Sequence, residues 1–413
     1  CYQSTIRLLR HKLNIAHFFR ILGLLACGAL ATQAQARMGH AGHKGAKVEL
    51  GTSAALDAQG RLWIASTDRG AEHPLLLQVS GDMGRTWSAP KRIAQVAEAV
   101  AAEGESRPKL AFGSRGQIYI AYTKPLSKPY TGEIRFVRSL DGGQTFSAPA
   151  TVHANRDEIT HRFESMIVDR SGRIYIAWVD KRDVEAAKTH KEIYRGAAIY
   201  YTVSEDGGTS FRGDFKLADH SCECCRIALA LNQDGTALAM WRHVFEPNVR
   251  DHAMRELRPD GPAAPLVRTT FDDWRLDACP HHGPALAYGP DGTRHQVWFN
   301  AKGDEGGVFY AATRQGAAPG APVSLGSAQA AHAEVLAEGK AVAIVWKQFD
   351  GKSTAILARY SDDGGLSWKQ AALASTQGNS DHPHLLASAS GMILVWRTQN
   401  EGVRVLPVTG ATH

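Results

Sequence analysis

Four octets with one shared pattern decide the fold of this chain. They read S-G-D-M-G-R-T-W (80–87), S-L-D-G-G-Q-T-F (139–146), S-E-D-G-G-T-S-F (204–211) and S-D-D-G-G-L-S-W (361–368). In each, a Ser is followed at alternate positions by Asp, Gly and Thr or Ser, and an aromatic residue ends the octet. The Asp can accept hydrogen bonds from the turn, the Gly permits positive φ, and the ring can pack beneath a hairpin. The octets therefore predict four copies of one tight turn in a repeating β unit.

These octets resemble the Asp box of sialidases and related β-propellers, where it forms the turn between the third and fourth strands of a blade. The resemblance implies an all-β propeller of four-stranded antiparallel blades over most of the chain. It also implies that the Asp boxes lie on the face opposite the sialidase active site. An Asp-box substitution such as Asp141→Ala should therefore lower stability without selectively removing function.

A second repeat gives the blade count. A Gly-containing turn precedes an alternating strand at Gly60, Gly116, Gly172, Gly235, Gly292, Gly339 and Gly391. The interval matches the size of a four-stranded blade. We count seven blades, whereas sialidases have six, so the sequence predicts a six- or seven-bladed β-propeller. The last blade lacks a fourth strand, which residues 46–50 could supply from the N-terminus.

The N-terminus has the pattern of an export signal: basic residues, an apolar run over 21–31, and A-Q-A ending at Ala36. We expect residues 1–36 to be a signal peptide, 37–45 a flexible His-containing tail, and 46–413 one propeller domain. A lipoprotein signal ending at Cys27 is the alternative. The prediction is therefore a periplasmic or secreted protein.

Composition excludes several classes of partner. Without residues 1–36 the chain keeps 43 basic and 41 acidic residues, a formal charge of +2. No basic run suggests nucleic acid, and no later apolar stretch is long enough for a transmembrane segment. The expected partners are a metal ion or an acidic glycan, with a periplasmic protein as a further possibility.

Cysteine and histidine crowd the loops that lead into the first strands of two successive blades. Since such loops meet near the axis of a propeller, they predict a soft-metal site of thiolates and imidazoles. Its ligands would be Cys222, Cys224, Cys225, Cys279, His281 and His282. Copper is favoured and zinc is the alternative; the tail residues Met38, His40 and His43 also suit copper. Exported cysteines normally oxidise, so disulfides between neighbouring blades are the competing interpretation.

A sialidase, as the resemblance implies, needs three arginines around a substrate carboxylate, a Tyr nucleophile with its Glu, and an Asp acid/base. Arginine suits this task because its planar fork meets a carboxylate bidentately. The side chains available for these roles are Arg107, Arg162, Arg226, Arg242, Arg397, Glu164 and Asp180. The family's Arg-Ile-Pro signature is absent, and no late Tyr stands where the nucleophile belongs. Rim arginines that only pair with neighbouring carboxylates are the competing interpretation.

Three functions follow from these patterns. The first is a metal-binding propeller that uses the Cys/His cluster. The second is a divergent exo-α-sialidase or other glycoside hydrolase acting on acidic sugars, and the third is a non-catalytic module that docks a protein or glycan. The fold alone does not choose among them, and the sequence leaves open whether the protein is an enzyme.

Overall fold

The computed structural model describes residues 49–68, 73–278, 280–303 and 306–408. Over these residues the chain forms seven antiparallel sheets, and the strands of each sheet pair in chain order. This confirms the β-propeller and fixes the number of blades at seven. The expected signal peptide and tail lie outside the described residues.

Each of the first six sheets has four strands in the described part of the chain, and the seventh has three. The first three sheets comprise β1 (Ser53–Leu56), β2 (Leu62–Thr67), β3 (Leu75–Ser80) and β4 (Lys91–Arg92); β5 (Lys109–Phe112), β6 (Ile118–Pro125), β7 (Gly132–Ser139) and β8 (Ala150–Thr151); and β9 (His161–Val168), β10 (Ile174–Asp180), β11 (Ala197–Ser204) and β12 (Arg212–Ser221). Helix α1 (Arg182–His190) lies between β10 and β11.

The remaining sheets follow the same order. They comprise β13 (Ala228–Leu231), β14 (Ala237–Arg242), β15 (His252–Glu256) and β16 (Val267–Arg268); β17 (Ala285–Tyr288), β18 (Arg294–Asn300), β19 (Gly307–Thr313) and β20 (Val323–Leu325); β21 (Ala330–Glu338), β22 (Ala341–Phe349), β23 (Thr354–Ser361) and β24 (Lys369–Thr376); and β25 (His384–Ser388), β26 (Gly391–Thr398) and β27 (Gly402–Pro407).

The second strand of each blade carries the core because both of its faces are covered. In β10, Ile174, Ile176 and Trp178 pack against the second sheet, whereas the alternating residues pack against the fourth. Side chains of a strand point alternately to its two faces, so an unbroken apolar run serves two cores at once. Seven such clusters, one between each pair of neighbouring sheets, hold the described ring together.

The ring closes between the first and last sheets by packing and by polar contacts. The inner strands β1 and β25 touch, and a shared cluster includes Ile64 and Val395. The Thr52 amide donates to Asp381 Oδ2 at 2.9 Å. The expected fourth strand from residues 46–50 is not seen in its described part, since Glu49 and Leu50 lie outside any strand.

The four octets form the turns that the resemblance predicts, each directly after the third strand of its sheet. In the third sheet, Ser204 Oγ donates to Asp206 Oδ1 at 2.9 Å and accepts from the Gly208 amide at 2.8 Å. Asp206 also accepts from the Ser210 amide at 3.0 Å and from its hydroxyl at 2.6 Å. The same four contacts recur in the other three octets.

The second glycine of the octet is a contact between blades as well as a turn residue. Gly208 has φ +79°, and a Cβ there would lie 2.4 Å from Cε1 of Phe136 in the preceding sheet. The octet therefore determines the conformation of its own turn and also how closely its blade packs against the preceding blade.

We predict that Gly208→Ala destabilises the protein by about 2–4 kcal/mol, because positive φ and a steric clash act together. Gly235→Ala is the matched control: it has the same φ of +79°, but its Cβ would meet nothing within 4 Å. The control should lose only about 1–2 kcal/mol. Denaturant unfolding measures the free energy of unfolding of both variants. Equal losses in the two variants would show that the contact with Phe136 contributes nothing.

Candidate functional site

The loops that lead into the first strands converge on one face of the ring, around a cavity of about 200 Å³. Charged side chains of both signs line this axial cavity: Glu105, Arg107, Lys109, Arg226 and Glu334. Sites for drug-sized ligands span roughly 300–1,000 Å³, so the axial cavity suits one small chemical unit.

Two of the expected arginines line the axial cavity but already have partners. Arg107 Nη1 lies 3.1 Å from Asp381 Oδ2 and donates to the Thr52 carbonyl at 3.1 Å. Arg226 donates to the carbonyls of Pro284 and Ala333, at 3.0 and 2.8 Å. Both guanidinium groups therefore join different blades through backbone oxygens.

The other three arginines also have protein partners. Arg242 donates to the carbonyls of His282 and Phe299, at 3.1 and 2.7 Å. Arg162 pairs with Glu103, and Arg397 Nη1 donates to Thr52 Oγ1 at 3.3 Å. Arg107 and Arg162 thus pair with carboxylates, as the competing interpretation expects, whereas Arg242 donates to backbone carbonyls. A triad of free guanidinium groups is not seen among the described residues.

Lys109 lines the axial cavity, and its charge acts on the buried carboxyl group of Glu164. The Lys109 ammonium donates to the Arg107 carbonyl at 2.9 Å, and burial lowers the pKa of Lys109 to about 8. Burial raises the pKa of Glu164, although the charge of Lys109 opposes the shift. Glu164 Oε2 accepts from the Thr123 hydroxyl, whereas Oε1 is buried without a hydrogen-bond partner. Such perturbed groups beside a cavity are typical of active sites.

Asp180, the expected acid/base, is fixed by its own neighbours instead. It accepts from the Trp178 indole at 2.8 Å and from Arg182 Nε and Nη2 at 3.0 and 2.7 Å. Burial acts to raise the pKa of Asp180, but the bonds from Arg182 and the charge of His161 lower it below the usual value. These contacts tie the end of β10 to the start of α1.

A cluster of histidines, of which His382 is buried and His282 and His332 are half-buried, lies against Glu105 on the same face. Glu105 Oε1 is 3.7 Å from Nδ1 of both His332 and His382. The rings of His332 and His382 stack at 3.6 Å, and His282 follows with its centroid 4.3 Å from that of His332. Burial lowers the pKa of His332 to about 4 and holds those of His282 and His382 well below the usual range. We call Glu105, His332 and His382 the axial triad.

The expected cysteine site is divided in this structure. Cys224 is disulfide-bonded, whereas Cys222 and Cys225 are free and their sulfur atoms lie 3.2 Å apart. Cys279 lies outside the described residues. His281 is exposed, and His282 stacks on Phe299 at 4.0 Å and faces the axial triad. In this state Cys222 and Cys225 are the only described thiols that could bind the expected copper or zinc.

The two free thiols differ in acidity because one donates a hydrogen bond to the other. The contact from Cys225 lowers the pKa of Cys222 to about 6 against the effect of burial, and the charge of Arg242 adds to this. The same contact, together with burial, raises the pKa of Cys225. One thiolate therefore forms easily in this pair.

No protein-family model matches this chain, and no curated protein is detectably similar in sequence. Solved structures with a similar fold include the polysaccharide lyase Uly1, at TM-score 0.55 and 9% identity, covering 92% of this chain and 94% of that one. A PL25 ulvan lyase bound to -[GlcA(1-4)Rha3S]- has TM-score 0.53 and 10% identity, covering 86% and 90%. An α-L-arabinofuranosidase of Fusarium graminearum has TM-score 0.50 and 12% identity, covering 79% and 92%. These likenesses show the propeller fold, and the sialidase resemblance stays a prediction.

No helix in the described part of the chain is long and apolar enough to cross a membrane.

Sequence reasoning found the face of the propeller but not its central residue. His332 is among the first residues of β21 and His382 lies just before β25, so their positions at the entrances to first strands place them on this face. Glu105 lies in the corresponding loop of the second sheet, yet nothing in E-S-R-P marks it as the carboxylate on which the histidines converge. Lys109 also has no motif of its own.

We predict that one thiolate forms near pH 6 and that this depends on the Cys225 thiol. Cys225→Ser keeps a hydrogen-bond donor beside Cys222, whereas Cys225→Ala removes it, so the pKa of Cys222 should rise in the Ala variant alone. Thiolate absorbance during a pH titration measures this. Superimposable titrations of the two variants would show that the contact does not control the pKa.

Proposed function

We propose that this protein is a glycoside hydrolase that acts on acidic sugars bound in the axial cavity. The observation that carries the proposal is the lining of that cavity, where Arg107, Lys109 and Arg226 face the carboxylates of Glu105 and Glu334. Cations at the wall suit a substrate carboxylate or sulfate, and carboxyl groups supply the chemistry of glycosidic cleavage. The similar fold of two polysaccharide lyases and an arabinofuranosidase supports the proposal at the level of the scaffold.

Hydrolysis of a glycosidic bond needs a proton donor and an ionised carboxylate. Glu164 is the proposed proton donor, because burial keeps its carboxyl group protonated to higher pH than an exposed one. Glu334 is the proposed base or nucleophile, and His384 Nδ1 holds its Oε1 at 2.9 Å. Lys109, which lines the axial cavity, would bind the negative group of the substrate.

The test is a panel of uronate-containing and sialic-acid-containing oligosaccharides, with neutral oligosaccharides for comparison, followed by the release of reducing ends. We expect cleavage of acidic substrates and a loss of about 100-fold or more in kcat for Glu164→Gln. Asp141→Ala is the control: its turn lies on the opposite face, so the folded protein should keep its kcat while its Tm falls.

Two results would contradict the proposal. The first is no cleavage of any acidic substrate by a folded protein. The second is a product with a conjugated double bond, detected by its ultraviolet absorbance, because elimination rather than hydrolysis would then break the bond.

The pH dependence of Glu164 provides a separate prediction for stability. A carboxyl group whose pKa is raised in the folded state binds more protons folded than unfolded, so stability falls as pH rises through 4.5 and the raised value. The glutamine of the Glu164→Gln variant cannot ionise, so the stability of the variant relative to wild type should increase as the pH rises through that interval. Thermal unfolding of both proteins from pH 4 to pH 8 measures this, and a constant difference would show that Glu164 keeps an ordinary pKa.

A further inference from the structure

The axial triad unites three segments that are distant in sequence. Glu105 precedes β5, His382 precedes β25, and His332 lies near the start of β21. One ligand atom from each lies within 4.8 Å of the other two. Glu105 and His382 are almost completely buried, with 4% and 9% of their side chains exposed.

Three Nδ1 atoms of this cluster have no partner at ordinary hydrogen-bond distance, although Glu105 Oε1 lies 3.7 Å from two of them. Nδ1 of His332, of His382 and of the neighbouring His282 is buried, and none has a hydrogen-bond partner in the described structure. Most buried polar side-chain atoms are hydrogen-bonded, so three such nitrogens in one cluster need an explanation. A bound cation that accepts their lone pairs supplies one.

The backbone at His332 is adapted to place this side chain. His332 has φ +50°, and the pairing of β21 with β22 shifts register between Ala331 and Glu334. A bulge redirects a side chain, and strained backbone conformations cluster at functional sites.

The donor set is typical of a divalent transition metal. Zinc binds imidazole nitrogen and carboxylate oxygen at about 2.0–2.2 Å, so the ligand atoms of a tetrahedral site lie about 3.4 Å apart. The 3.7 Å from Glu105 Oε1 to each Nδ1 exceeds that separation by about 0.3 Å, and the stacked rings of His332 and His382 would have to turn so that both nitrogens point at one ion. The Gly283 amide faces the same oxygen at 3.4 Å, and Arg226 Nη1 lies 3.7 Å from Oε2, so the carboxylate is oriented from outside the triad.

We propose that Glu105, His332 and His382 bind one divalent transition metal ion. With three protein ligands the ion keeps an open position, as in zinc sites that exchange ligands rather than sites that only stabilise the fold. His282 is the neighbouring nitrogen that can fill this position. This proposal needs no sugar substrate, so it stands or fails separately from the hydrolase proposal.

The test is titration of chelator-treated, dialysed protein with Zn²⁺ and with Co²⁺, by calorimetry and by the visible spectrum of cobalt. We expect one equivalent of each ion and a cobalt spectrum without sulfur-to-metal charge transfer. His382→Ala and Glu105→Gln should each weaken binding by about 100-fold or more. His295→Gln is the matched control, since His295 is a buried histidine paired with the Tyr310 hydroxyl at 2.8 Å, away from the axis.

The double variant Cys222→Ser/Cys225→Ser separates this site from a thiolate site and should bind the ions like wild type. Loss of binding in that variant, or sulfur-to-cobalt charge transfer in wild type, would overturn the axial triad as the metal site. Absence of stoichiometric binding would overturn it as well. Tm values in the absence of metal establish that each variant is folded before its binding is compared.

Discussion

Seven inner strands begin around one axis, and the backbone carbonyls near their starts must find hydrogen-bond donors there. Arginine satisfies this constraint, because one planar group reaches two or three oxygens on different blades. Arg242 joins the carbonyls of His282 and Phe299 in this way, and Arg226 joins those of Pro284 and Ala333. The polar face of the ring is therefore built by the same contacts that hold its blades in register.

This constraint changes how rim residues should be interpreted. A sialidase-like site for a substrate carboxylate needs guanidinium groups that point into a cavity and have donors available for the ligand. Here each of the five arginines has a protein partner, and only Arg107 and Arg226 also line the axial cavity. Recognition of an acidic sugar would consequently depend on Lys109 and on the positive field of these paired arginines, not on a separate arginine triad.

The parts of the fold that sequence reasoning predicted are those encoded locally. Each octet contains all the groups of its own turn, so the positions of four connections between third and fourth strands could be placed correctly. The turn at Gly172 likewise predicts the strand that follows it, β10, although not that both faces of this strand are covered. Closure of the ring could not be predicted in this way, since it depends on packing between Ile64 and Val395, which are more than 300 residues apart.

The same distinction between local and distant information explains why the sequence pointed to the cysteines and not to the axial triad. Three cysteines within four residues are conspicuous in a sequence, but their chemistry depends on which of them is oxidised, and Cys224 is. The axial triad is inconspicuous, because its members are separated by 50 to more than 200 positions and each loop carries only one of them. Knowledge of the propeller identifies the loops that meet, but only coordinates show which side chains lack a partner.

The two proposed chemistries both involve Glu105, and its geometry allows them to coexist. Oε1 faces His332 and His382, whereas Oε2 faces Arg226 on the wall of the axial cavity. A metal bound through Oε1 would leave Oε2 and the guanidinium group in place, so the charge pattern of the wall would persist. The ion would also add positive charge beside Arg107, Lys109 and Arg226, which strengthens attraction for an anionic ligand. A metal ion in the axial triad would therefore increase the preference of the cavity for acidic sugars over neutral sugars.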